Sequence, residues 1–133
     1  MTGPILFIGG IVGVFLLIRW YSQSAARALT GRKAPESASD LTLHTESILL
    51  YFFHPSCAPC QQMGRNIDQI AESLADNQQG RIQKIDVGEQ HDLALEFGIS
   101  ATPTTLIIKD GIVTQAVIGA KSPKAISRLL GLN

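Results

Sequence analysis

The chain opens with eighteen residues that carry no ionisable side chain, a stretch that a soluble core has no reason to contain. At about 1.5 Å of rise per residue, a helix over residues 1–18 covers roughly 27 Å, close to the ~30 Å thickness of bilayer hydrocarbon. Arg19 follows with a side chain long enough to reach water, and Trp20 and Tyr21 fall where aromatic rings favour a membrane interface. A secretory signal normally carries basic residues ahead of its apolar run. None precedes this one, so residues 1–21 read as a retained transmembrane anchor.

Charge is balanced, with 11 basic and 11 acidic residues among 133, so no global electrostatic argument points to nucleic acid. The imbalance is local. Arg19, Arg27, Arg32 and Lys33 have no acidic neighbour before residue 34, whereas the remaining basic residues share the rest of the chain with every acidic one. All four early cations follow the apolar span. The positive-inside tendency therefore places the C-terminal domain on the cytoplasmic side of the membrane, the periplasmic side being the alternative. Residues 22–40 turn to Ser, Ala, Gly, Arg and Pro, with Gly31 and Pro35 interrupting any long period, and read as a linker. One ordinary domain remains, residues 41–133.

That domain alternates short apolar runs with helical periods, as α/β packing requires. Residues 48–53 form a continuous apolar run suited to a strand buried on both faces. His54-Pro55-Ser56-Cys57-Ala58-Pro59-Cys60 follows directly, and then Met63, Ile67, Ile70 and Leu74 recur at the spacing of an amphipathic helix. Cys57 and Cys60 are the only two cysteines, too few for a disulfide scaffold. They sit where a strand ends and a helix begins. A helix N-terminus offers unpaired N–H groups and the positive end of the macrodipole, which favour a thiolate on the first cysteine. Cys57 is the expected nucleophile, and Cys60 is within reach to resolve a mixed disulfide. Pro59 suits the first helical turn and stiffens the loop. His54 has two readings: as a cation it favours the Cys57 thiolate and a more oxidising disulfide, and as a neutral side chain it only ends the strand.

A zinc site would need two further ligands, and His44, His54 and His91 show no paired ligand spacing. Gln61 stands where covalent haem attachment would require histidine. No metal and no organic cofactor is expected. Glu89, Asp92 and Glu96 read as a solvated helix face.

The segment from Phe53 to Cys60 resembles the active-site segment of the thioredoxin family, in which a strand ends in Cys-X-Pro-Cys and a helix begins. Downstream, residues 82–87 resemble the family's next central strand, 93–100 its short helix and turn, and Ala101-Thr102-Pro103-Thr104 its cis-proline loop. Residues 105–109, Asp110-Gly111 and 112–118 are similar to its terminal hairpin, and 123–130 to its final helix. The resemblance implies a thioredoxin-like fold, a central mixed sheet flanked by helices, here preceded by a single transmembrane helix. It implies a cis bond at Pro103, and a Thr102 backbone that pairs with an incoming substrate strand. Three positions depart from the family: Tyr51 replaces the buried Asp beneath the active site, Ile82 its partnering Lys, and Ser56 the aromatic residue before the first cysteine. The front of the fold is short as well, with residues 41–45 a candidate first strand and no evident first helix.

The expected function is membrane-anchored thiol–disulfide exchange between the Cys57–Cys60 pair and protein substrates, with membrane-associated proteins as partners. The alternative is a binding or assembly module of the same fold whose thiols only respond to redox state.

Overall fold

In the computed structural model, which describes residues 2–42 and 47–132, helix α1 runs without a break over Thr2–Leu29. Among the described residues, nothing packs on its first two thirds. Leu6, Phe7, Ile8, Ile11, Phe15 and Leu17 point in all directions around the helix, and each is more than half exposed. The last two turns differ. Ser22, Ala25 and Ala26 are half-buried and Leu29 is buried, a 3-1-3 spacing that defines one helix face. This end of α1 packs on the sheet's last strand.

A short connection then joins helix to sheet. Gly31 adopts φ 86, a left-handed conformation open to glycine, and turns the chain out of α1. Its N–H donates to the carbonyl of Val113 at 2.7 Å, the Val113 N–H to the Arg32 carbonyl at 2.9 Å, and the Ala34 N–H to the Gly111 carbonyl at 2.8 Å. Lys33 and Ile112 thus form an antiparallel bridge. A 3₁₀ turn over Glu36–Ala38 and a short helix α2, Ser39–Thr42, follow. Ala38 is fully buried, and Ala34 and Leu41 pack against the same cluster. The stretch expected to be a linker, residues 22–40, is therefore built into the folded unit. Its alanines carry almost no periodic apolar signal, yet their small side chains allow helix and connector to lie close to the sheet. The first strand expected over residues 41–45 is not seen where it can be checked: Leu41 and Thr42 end α2, and residues 43–45 lie outside the described residues.

The sheet has four strands, β1 (Ile48–Phe53), β2 (Ile82–Asp86), β3 (Thr104–Lys109) and β4 (Ile112–Ile118), in the order β2-β1-β3-β4. β2 runs parallel to β1, whereas β3 is antiparallel to both β1 and β4, so the sheet is mixed as expected. β2 is an edge strand rather than a central one, its only strand neighbour among the described residues being β1. Asp110 (φ 52) and Gly111 (φ 72) make the two-residue turn between β3 and β4, with the positive angles such hairpins need.

Alternate residues of β1 face two cores. Leu50 and Phe52 meet Leu29, Ala38, Phe97, Leu106 and Val113. Leu49 and Tyr51 meet Met63, Ile67, Ile107 and Ile126 on the other side. Helix α3 (Ala58–Ser73) and the last helix α5 (Pro123–Leu129) cover this second face and pack together, while α4 (His91–Phe97) contributes Ala94 and Phe97 to the first. Because β1 is covered on both faces, its sequence shows a continuous apolar run instead of alternation.

Candidate active site

The strand-to-helix junction places the cysteines. β1 ends at Phe53, the Cys57 N–H donates to the His54 carbonyl at 3.0 Å, and Cys57 itself caps α3 with extended backbone angles (φ −90, ψ 112). Pro59 lies in the first turn, where its missing N–H leaves no helical bond unmade. Cys57 and Cys60 are joined as a disulfide, with their Cα atoms 5.1 Å apart. The two sulfurs are not equivalent. Cys57 is half-buried, and its Sγ accepts the N–H of Cys60 at 3.3 Å, while Cys60 is 3% exposed. The sulfur with the greater access also receives the helix N–H that stabilises a thiolate.

Across the groove, the Thr102–Pro103 bond is cis and the Thr102 carbonyl oxygen lies 3.7 Å from Cys57 Sγ. This loop is held by neighbours that the sequence did not single out. The Gly119 N–H donates to the Pro103 carbonyl at 2.8 Å, and the Thr104 hydroxyl to the Ala101 carbonyl at 2.6 Å. The adjoining turn is tied to α3 in turn: the Lys121 N–H donates to Met63 Sδ at 3.2 Å and the Asn66 amide to the Lys121 carbonyl at 2.7 Å. Met63, read from the sequence as plain core, therefore also orders the rim of the site.

Tyr51 lies beneath the disulfide, 1% exposed, and its hydroxyl donates to the Cys60 carbonyl at 2.5 Å. Burial, helped by the negative charge of Asp68, pushes its pKa up to about 12. A phenol of that pKa stays protonated at physiological pH, so it acts as a fixed donor and cannot serve as the base that a carboxylate would supply. On either side of it in the sheet register stand Lys84 and Thr105. Lys84 forms an ion pair with Asp68, and the Thr105 hydroxyl is buried without a hydrogen-bond partner among the described residues. Ile82, at the position of the absent Lys, is half-buried. Sequence reasoning recognised Tyr51 only as a missing acid, because nothing local to residue 51 shows that its hydroxyl reaches the turn carrying Cys60.

His54, three residues before Cys57, sets its ring against Ser56 and Gly88, and lines a hollow together with Tyr51 and Cys60. Its Nδ1 accepts the N–H of Ser56 at 3.1 Å, and a Cβ built on Gly88 would meet Nε2 at 3.6 Å. His54 and Thr102 also edge a cleft of about 270 Å³ that continues along α4 past Ala94, Leu95 and Ile99. Leu95 stands 59% exposed there, and apart from Ile112 it is the only large apolar side chain outside α1 that is exposed among the described residues. Glu89, Asp92 and Glu96 are exposed on and before α4, with Glu96 accepting a hydrogen bond from the Ser37 hydroxyl. His91 lines the cleft, and His44 lies outside the described residues.

The Thioredoxin family model matches residues 34–131, beginning within the connector that pairs with β4. Thioredoxin from Bacillus subtilis is 31% identical over 83 residues, which cover 62% of this chain and 78% of that protein. Thioredoxin from Chlorobaculum thiosulfatiphilum is 34% identical over 99 residues, covering 68% and 88%. Among solved structures, the oxidised form of mitochondrial thioredoxin 3 from Saccharomyces cerevisiae superposes with a TM-score of 0.61 at 24% identity, covering 82% of this chain and 99% of that one. The Cys57–Cys60 disulfide at the N-terminus of α3 and the cis proline facing it both lie within the matched residues, and the chain belongs to the thioredoxin family as a thiol–disulfide oxidoreductase that acts on protein thiols and disulfides.

Proposed function

We propose that this chain is a membrane-anchored oxidoreductase in which Cys57 attacks and Cys60 resolves. In the reducing direction the Cys57 thiolate attacks a substrate disulfide, forming a mixed disulfide and expelling one substrate thiolate. Cys60, once deprotonated, attacks Cys57 Sγ, expels the second substrate thiolate and leaves the Cys57–Cys60 disulfide, so that two electrons pass to the substrate. Oxidation of a dithiol substrate is the same sequence reversed. The observation that carries this assignment is the asymmetry of the sulfurs: Cys57 is accessible and receives the Cys60 N–H, whereas Cys60 is enclosed. The backbone of Thr102, beside cis-Pro103, supports pairing with an extended substrate segment, and the cleft edged by Leu95 supports an apolar side chain next to the substrate cysteine. Pro59 stiffens the active-site turn. In this reading His54 acts by anchoring that turn through Ser56.

Residues 1–21 act as the anchor. An apolar helix exposed on all sides is a surface that a soluble protein does not carry and a bilayer covers. The four cations after the span favour a cytoplasmic domain and membrane-associated partners. The test is covalent trapping in cells: Cys60→Ser should accumulate mixed disulfides with membrane-fraction proteins, and Cys57→Ser should not. Equal trapping by both variants would refute the assignment, and labelling of the reduced thiols in intact cells by a membrane-impermeant reagent would reverse the orientation.

A further inference from the structure

We propose that the disulfide centre works at a fixed height above the bilayer, so that its partners are membrane proteins that present a cysteine pair near the membrane surface, rather than soluble proteins at large. This rests on the membrane reading above and deepens it. As a free tether, residues 22–40 would separate domain and membrane by about 24 Å on average and by about 65 Å at full stretch. The chain has no such freedom. Helix α1 leaves the interfacial Trp20 and Tyr21 and continues unbroken through residues 22–29, a rise of only about 12 Å, with Ser22, Ala25, Ala26 and Leu29 turned to the protein.

Four ties fasten the junction. Leu29 and Ala38 are buried in the same cluster as Phe97 and Val113, and three backbone hydrogen bonds lock residues 31–34 to β4 and the turn before it. Ser37 donates to Glu96 of α4, and the Arg32 guanidinium lies against Gly98 at the end of that helix, where a built Cβ would come within 2.5 Å of Nη1. The bridge joins the start of β4, whereas Thr104, next to cis-Pro103, pairs with Ile118 at its end. The redox site thus stands about 20 Å along the sheet from the point of attachment, a distance set by strand rise rather than by chance.

The experiment uses the full chain in vesicles, with spin-labelled noncanonical residues at Trp20 and Lys109 so that the cysteines are untouched, and a model disulfide carried on a transmembrane helix through helical spacers of stepwise length. The expected results are one narrow label-to-label distance and a reduction rate that peaks at one spacer length and falls roughly tenfold when the spacer changes by two helical turns. Inserting about eight Gly and Ser residues between Tyr21 and Ser22 should flatten that profile and leave reduction of a soluble disulfide unchanged. A broad distance distribution, or a flat profile from the unmodified chain seated in the membrane, overturns the fixed height alone. A chain recovered outside the vesicles overturns the membrane reading and the proposal with it.

Discussion

Replacing Tyr51 by Phe isolates one hydrogen bond, because the ring and its stacking on Phe53, centroids 5.4 Å apart, are retained while the hydroxyl that serves Cys60 is removed. At neutral pH the loss of a buried neutral hydrogen bond should cost about 1 kcal/mol. The pH dependence is more telling. The phenol's pKa rises from 10.0 in the unfolded chain to about 12 in the fold, so the folded state prefers the protonated form. That contribution is fully present below pH 10 and is lost as pH rises toward 12. At pH 11.5 the wild type should have given up about 2 kcal/mol through this one group, whereas Tyr51→Phe has nothing to titrate there. Lysines and the other tyrosine are common to both proteins and cancel in the difference. Urea unfolding of the full chain in micelles at pH 8 and pH 11.5 should therefore find the variant less stable at the lower pH and more stable at the higher. A stability difference that stays constant across that range would refute the buried, donating phenol.

The remaining expectations concern the junction and the core. Leu29→Ala, at a side chain only 6% exposed, should cost about 2–3 kcal/mol by urea unfolding, a loss that a free linker residue would not produce. Gly98→Ala forces a side chain into φ 77 and against Arg32, and should cost about 1–2 kcal/mol, seen as a lowered Tm. Thr105→Val removes a buried hydroxyl without a hydrogen-bond partner among the described residues, at nearly constant volume, and should be neutral or stabilising by up to about 1 kcal/mol in the same assay.

The redox half of the molecule was legible because its signals are local and redundant. A six-residue apolar run, a Cys-X-Pro-Cys on the following turn and a four-three-four apolar stripe each point to the same strand-to-helix junction. The Asp110-Gly111 pair likewise marked the hairpin by turn chemistry alone. What the sequence hid depends on distant partners. The burial of Ala25, Ala26 and Ala38 is decided by β4 and α4, and an alanine reads the same in a tether as in a close-packed joint. The edge position of β2 is a matter of topology that its own apolar pattern does not encode. Met63 and Tyr51 look like core from sequence, and their polar atoms gain a role only through Lys121 and Cys60, 58 and nine residues further along the chain.

The most direct test of the central claim is alkylation of the fully reduced chain at pH 7 by a limiting amount of iodoacetamide, with each cysteine followed by mass spectrometry. If the helix terminus activates Cys57 and the fold encloses Cys60, Cys57 should react first and at least about tenfold faster. Equal rates, or a faster Cys60, would contradict the assignment of attacking and resolving sulfurs.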